Sequence, residues 1–373
     1  MEADFLIIGA GIAGASAGFE LSQQGSVVLL EREDQPGYHS TGRSAALFTE
    51  AYGNATIRAL TRASRGFFTA PPAGFAAAPL LAPRGVLTVA SADRQAAFAH
   101  ALAEVSAHSD TTREIDIGRA AALFPPLERG VARYAHYEPD AMDMDVHAIH
   151  QGFLKGLRAR GGILHTGVQI ERIEPGWRVH AGATTYAAPV VVNAAGAWAD
   201  AVAALAGVAP IGLVPKRRTA LLFDPPRDMA IAAWPMVIDI DETCYVKPDA
   251  GRLLLSPADE TPSPPTDAQP EEIDIALAIE RLERFTRLRV ARVTHKWAGL
   301  RSFVADKTLV AGAAAGASGF FWCAGQGGYG IQTAPAMGRI VAALVASRAI
   351  PADIADQGVT AAALDPARLQ RRS

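Results

Sequence analysis

The sequence predicts an α/β fold organised on a parallel sheet, and three observations within its first 31 residues carry that prediction. Asp4–Ile8 is a short β-branched and aromatic run that ends at Gly9, the pattern of a strand buried on both faces. Ile12 to Gln24 follows with small residues on one side and Phe19 and Leu21 on the other, a helix stopped by Gly25. Val27–Leu30 then reads as a second buried strand. Strand, glycine turn, helix, strand is a βαβ unit, the start of a parallel sheet.

Later segments continue the alternation. Val86–Ala90 is an apolar run after a proline-punctuated passage, and 145–160 reads as a helix ended by Gly161 and Gly162. Val190–Val192 is another buried strand, 213–256 reads as strands joined by turns, and 271–288 is an amphipathic helix behind a Pro-rich segment at 261–270. Leu309–Ala311 is a last strand and 333–347 a closing helix.

The totals bound the chemistry. The 373 residues suggest two domains, and half of them are apolar, enough for a sizeable core. The net charge is −3, with no cluster of Lys and Arg of the kind that nucleic acid or an anionic membrane requires. Two cysteines, Cys244 and Cys323, make no disulfide framework or metal-spaced pair. The apolar stretches 190–208 and 309–325 are broken by Asn193, Asp200 and Ser318, short of the roughly 20 apolar residues of a spanning helix. A soluble, cytoplasmic protein is expected, with no integral membrane segment.

Gly9-Ala10-Gly11-Ile12-Ala13-Gly14 joins the first strand to the first helix. In such a turn the first glycine makes the tight bend, the second lets backbone approach a pyrophosphate, and the third lets helix and strand pack. The pyrophosphate sits on the amides and positive dipole of the helix N-terminus. Glu31 ends the second strand, where a carboxylate can accept from ribose hydroxyls and disfavours a 2′-phosphate, leaving NAD or FAD.

Three further features favour FAD. Tyr38-His39-Ser40-Thr41-Gly42-Arg43-Ser44-Ala45-Ala46 places donors beside the pyrophosphate. Val191-Val192-Asn193-Ala194-Ala195-Gly196-Ala197-Trp198 is a strand running into a small-residue turn. Gly325-Gln326-Gly327-Gly328-Tyr329-Gly330-Ile331-Gln332 opens the last helix, whose N-terminus can stabilise negative charge on a reduced flavin. In this order the motifs resemble, nearly end to end, the FAD-dependent amine and amino-acid oxidoreductases, the family of D-amino acid oxidase, glycine oxidase and sarcosine oxidase. The likeness is greatest to its D-arginine dehydrogenase branch, through His39–Ala46, Pro215-Lys216-Arg217-Arg218, the run from Tyr245 to Gly251 and Trp297-Ala298-Gly299-Leu300-Arg301.

The resemblance implies a Rossmann-like FAD domain of the glutathione-reductase type, formed by 1–79, 140–208 and 296–373. An α+β substrate domain on a mixed or antiparallel sheet, 80–139 and 209–295, is inserted into it. It implies non-covalent FAD, with Arg32, Val168, Ala195, Gly196, Trp198 and Gly327–Gln332 joining the fingerprint and the Ser40–Ala45 run. It also assigns the substrate carboxylate to Arg218, Arg301, Tyr52 and Tyr245, and the amine to the Gly328 carbonyl. A guanidinium fork suits a carboxylate because it is bidentate and always charged. The expected reaction is hydride loss from Cα of a small free amino acid of the D series; the motifs do not assign the electron acceptor, oxygen or a quinone-type carrier. Alternatives are oxidation of secondary amines such as sarcosine, and a flavin-binding protein without turnover.

Two positions depart from the D-arginine pattern. Leu47 stands where that branch has histidine, and Val86 where it has the glutamate that pairs with a distal cation. By the same alignment Leu47, Val86, Met236 and Ile238 line an apolar pocket, which favours neutral side chains, and Glu50 is the one nearby acid in sequence. Asp143-Met144-Asp145-Val146-His147-Ala148-Ile149-His150 has the residue types of a metal site, but reads as an Asp N-cap on an amphipathic helix; no metal is expected.

Overall fold

In the computed structural model, which describes residues 1–370, the predicted βαβ unit forms the centre of a six-stranded sheet. Phe5–Ile8 lies between Val27–Leu30 and Val190–Asn193 and is parallel to both. Ile163–His165 and Phe320–Ala324 extend the parallel sheet on either side, and Val310–Ala313 closes one edge antiparallel to Phe320–Ala324. The connections leave Phe5–Ile8 in opposite directions, so a crevice opens beyond the carboxyl ends of the central strands.

The helices that border this crevice approach more closely than side chains would allow. A Cβ on Gly14 would stand 1.9 Å from the Gly9 carbonyl oxygen, so Ile12–Leu21 packs directly on the strand before it. That helix ends at Leu21, earlier than its pattern suggests: the Ser22 hydroxyl donates to the Phe19 carbonyl, and Gly25 abuts the Asp4 carboxylate. The last long helix, Gly330–Val345, followed by three short helical turns, begins earlier than the expected 333 because the glycine loop supplies its first turn. It crosses the first helix at Gly338, where a Cβ would lie 2.6 Å from the Ser16 carbonyl oxygen.

A nine-stranded mixed sheet draws its strands from 86–138 and 214–303. Its strand pairs are antiparallel except that Met236–Asp239 runs parallel to Val86–Ser91. One face is covered by Glu272–Phe285, whose Ile275, Ala278, Leu282 and Phe285 join a core with Leu87, Val237, Val246 and Leu255. The register turns the alternate residues to the other face: Ile238 opposite Tyr245, Met236 opposite Val86, Arg218 opposite Gly299, and Lys216 opposite Arg301. The strand Val293–Phe303 runs unbroken through the boundary expected at 296, held along its length by Val214–Phe223. No helix among the described residues is long and apolar enough to cross a membrane.

The Asp143–His150 run is structural. Asp145 caps the helix Val146–Ala159 by accepting from Ala148 N, Asp143 pairs with Arg84 and Lys247, and the His150 ring lies 2.8 Å from the Ala10 carbonyl oxygen.

Two glycines separate close packing from backbone freedom. Gly14→Ala is expected to lower stability in urea unfolding by about 1–3 kcal/mol, because backbone must move. Gly66→Ala, within the helix Ala55–Thr69 with open space around it, is expected to raise stability by about 0.5–1 kcal/mol.

Candidate active site

The crevice is a cleft with about 1200 Å³ of empty space, counting its open mouth. Its floor is the glycine fingerprint. Gly9 has φ +98°, and a Cβ there would fall 2.5 Å from the Ala194 carbonyl oxygen, so the turn closes only with glycine. Gly11 lies under Thr41, whose hydroxyl accepts from Ile12 N at 3.0 Å. Glu31 is buried at the cleft edge; its carboxylate accepts from Ala10 N at 2.8 Å and Glu33 N at 3.0 Å, which locks the strand end to the turn. The first-turn amides of Ile12–Leu21 open into this space.

The donor set and shape fit FAD. The N-termini of the first and last helices converge on one cleft and give it positive potential where a pyrophosphate would sit. At one end Arg32 stacks on the Trp198 ring at 4.3 Å and His39 lies 4.6 Å from the same ring, a flat surface for a planar base. Over the mouth, Arg43 donates to the Ala268 carbonyl at 3.0 Å and the Ala298 carbonyl at 2.8 Å and pairs with Asp267. That guanidinium fastens the Pro-rich segment to the cofactor cleft.

A second cleft of about 650 Å³ shares Ile12, Ser40, Thr41, Leu300, Gln326 and Gly327 with the first and ends on Arg218, Tyr245, Arg301 and Gly328. Arg301 is buried, and Tyr52, Tyr245 and Tyr329 act on its guanidinium, holding its charge. Gly328 lies flat against the same group: a Cβ there would be 3.0 Å from Arg301 Nη1. Burial pushes the Tyr329 hydroxyl up, so it stays protonated. Arg218 Nη2 donates to Glu260 at 3.3 Å, while its Nε is buried without a hydrogen-bond partner among the described residues. Its neighbour Arg217 points the other way along the strand and pairs with Asp274 at 2.8 Å and with Glu271. A cationic end with a spare donor is what a carboxylate ligand requires.

The expected residues fall into three groups. Gly9, Gly11, Ala13, Glu31, Arg32, Ser40, Thr41, Val168, Ala195, Gly196, Trp198 and Gly327 line the first cleft. Arg43, Ser44, Ala45, Arg218, Tyr245, Arg301, Gly328, Gly330 and Ile331 line the second. Gly14, Tyr52, Tyr329 and Gln332 line neither. Gly14 packs helix on strand, Tyr329 turns to Tyr52 with rings 5.0 Å apart, and the Gln332 amide bridges Thr49 N and the Thr61 hydroxyl. Leu47, Val86, Met236 and Ile238 also lie outside these linings; all are partly buried, and Met236 and Ile238 pack with Tyr245. Glu50 is taken by Arg65 at 2.6 Å. Cys323 is buried behind Gln326, and its thiol is pushed up to about 12 by burial. Sequence reasoning missed Gln169, Ile170 and Ser302 in the first cleft, since nothing in their local sequence distinguishes them from ordinary strand and loop residues.

The chain matches the FAD dependent oxidoreductase family (DAO) over residues 4–344 and belongs to it. It is a flavoprotein whose cofactor is FAD. Among curated proteins it is 26% identical, over 92% of its length, to the tRNA 5-methylaminomethyl-2-thiouridine biosynthesis bifunctional protein MnmC of Thiobacillus denitrificans, of which it covers 56%. The chain spans between about a third and just over half of the curated relatives it matches. Glycine oxidase from Geobacillus kaustophilus has the same fold, with TM-score 0.81 and 21% identity over 93% of this chain and 95% of that one. L-alpha-Glycerophosphate oxidase from Mycoplasma pneumoniae, solved with FAD bound, gives 0.84 and 16% over the same shares.

Arg43→Ala removes the fastening across the cleft mouth. The variant is expected to release flavin about tenfold more readily, measured as free FAD after desalting.

Proposed function

We propose that the chain oxidises the Cα–N bond of free D-amino acids, with neutral, apolar side chains as its basic substrate class. The observation that carries this reading is the buried Arg301 guanidinium, against Gly328 and acted on by Tyr52, Tyr245 and Tyr329, where the second cleft ends. Arg301 and Arg218 hold the substrate carboxylate and Tyr52 and Tyr245 donate to it, so Cα is fixed in one orientation. The Gly328 carbonyl accepts from the amine. Tyr329 and Phe303, packed edge-on at 6.4 Å, keep water from behind Arg301. Leu47, Val86, Met236 and Ile238 form the wall along which the side chain lies. FAD, when bound, supplies a two-electron acceptor for the Cα hydride. The imino acid that remains hydrolyses to a 2-oxo acid and ammonia.

Anaerobic mixing of the yellow holoenzyme with single amino acids tests the reading. D-Leucine, D-methionine and D-phenylalanine are expected to bleach the flavin band while their L forms do not. Bleaching by sarcosine or proline alone would assign the site to secondary amines, and a flavin that no amine reduces would end the catalytic reading. Arg301→Lys keeps the charge and loses the fork, and is expected to lower the second-order reduction rate about 100-fold or more.

A further inference from the structure

The sheet face that carries the substrate site changes character one strand step beyond Arg218. On Val214–Phe223, Lys216, Arg218 and Ala220 point to the same side. Their partners on Val293–Phe303 are Arg301, Gly299 and Trp297, which share that face. The face therefore runs from a cationic end, through Gly299 and Ala220, to the ring of Trp297. Gly299 and Ala220 leave the sheet almost bare of side chain beside the guanidinium groups, and both line the second cleft.

Ala220 also belongs to the apolar cluster behind that cleft. It is buried with Tyr245 and Leu254, and Ala45, Met236, Ile238 and Trp297 pack against them. Of these, among the described residues, only Ala45, Ala220 and Tyr245 line the cleft. The way from the clamp into the cluster is thus bounded by two methyl groups and a tyrosine ring. The loop that carries Ala45 is fixed over the sheet. Trp297 Nε1 donates to the Arg43 carbonyl at 3.1 Å, and the Arg43 guanidinium is fastened to the Ala268 and Ala298 carbonyls. With that side held, the bulk at position 220 decides how much can enter.

We propose that Ala220 sets the size of side chain that the site accepts. With its carboxylate on Arg218 and Arg301, the substrate passes its side chain between Ala220 and Ala45 toward Met236, Ile238 and Trp297. The proposal rests on the reading of the chain as an amino-acid oxidising enzyme and deepens it. It names, as the preferred class, neutral amino acids whose chain continues beyond Cβ, such as leucine and methionine, over alanine. Each methylene taken into such a passage is worth about tenfold or more in discrimination. A larger residue at 220 fills the passage and leaves room only for the shortest side chains.

The test compares ligands that differ only in side-chain size. Propanoate and 4-methylpentanoate have the carbon skeletons of alanine and leucine and no amine to oxidise. In calorimetric titration of the holoenzyme, 4-methylpentanoate is expected to bind about tenfold or more tighter than propanoate, and Ala220→Leu to bring that ratio to about 1. In anaerobic flavin reduction, the second-order rate for D-leucine relative to D-alanine is expected to fall about tenfold or more in Ala220→Leu. A smaller fall is expected in Ala220→Val, whose β-branched side chain suits a strand. A wild-type binding ratio of about 1 overturns the proposal with no variant needing to fold. Ratios that both variants leave unchanged overturn it as well. Size-dependent carboxylate binding that Ala220→Leu abolishes, with no flavin reduction by any amino acid, supports the Ala220 passage and removes the functional reading beneath it.

Discussion

The site depends on a backbone-to-backbone contact that no side chain can enter. Gly9 turns at positive φ against the Ala194 carbonyl, and Gly14 brings the first helix down on Gly9 itself. Together they aim the helix N-terminus into the crevice between Phe5–Ile8 and Val190–Asn193. Gly338 does the same for the last helix by letting it cross at Ser16. Had either helix stood off by the width of a methyl group, the two N-termini would not converge on one cleft. Glu31 completes the constraint, since its carboxylate bonds tie the second strand to the turn.

From that frame the site becomes polarised along its length. The cofactor end relies on helix dipoles and backbone amides, which hold a fixed charge without needing a counter-ion. The far end relies on guanidinium groups, and there the sheet's alternation decides which one is available. Arg217 and Arg218 are adjacent in sequence, yet Arg217 is consumed by Asp274 and Glu271 while Arg218, paired with Glu260, reaches the cleft. Arg301 reaches the same place because Val293–Phe303 remains one continuous strand beside Val214–Phe223. No ion pair at salt-bridge distance holds it among the described residues; Tyr52, Tyr245 and Tyr329 act on it, with the Glu242 carboxylate at longer range.

The βαβ unit and its fingerprint were legible because they are local: a few consecutive residues set strand, turn, helix and terminal acid. The clamp residues were legible only through resemblance. An arginine between Gly299-Leu300 and Ser302 has no periodicity that tells function from an ordinary ion pair. Cross-strand placement was not legible. Along the chain the acid near Tyr52 is Glu50, which the fold gives to Arg65, while Glu138 comes to lie beside Val86 from a different strand. Gln332 was expected at the cofactor and instead braces Thr49 and Thr61, because a helix residue faces whatever the neighbouring loop presents.

By itself the sequence determined the parallel-sheet core and the cofactor turn, since each depends on neighbours in the chain or on glycine's lack of a Cβ. Only the tertiary structure decided that Gln332 turns to Thr49 and Thr61, that Glu50 goes to Arg65, and that Glu138 lies beside Val86. The last of these follows from strand register, and register is set by pairing between segments far apart in the chain, where a shift of one residue turns every side chain to the opposite face.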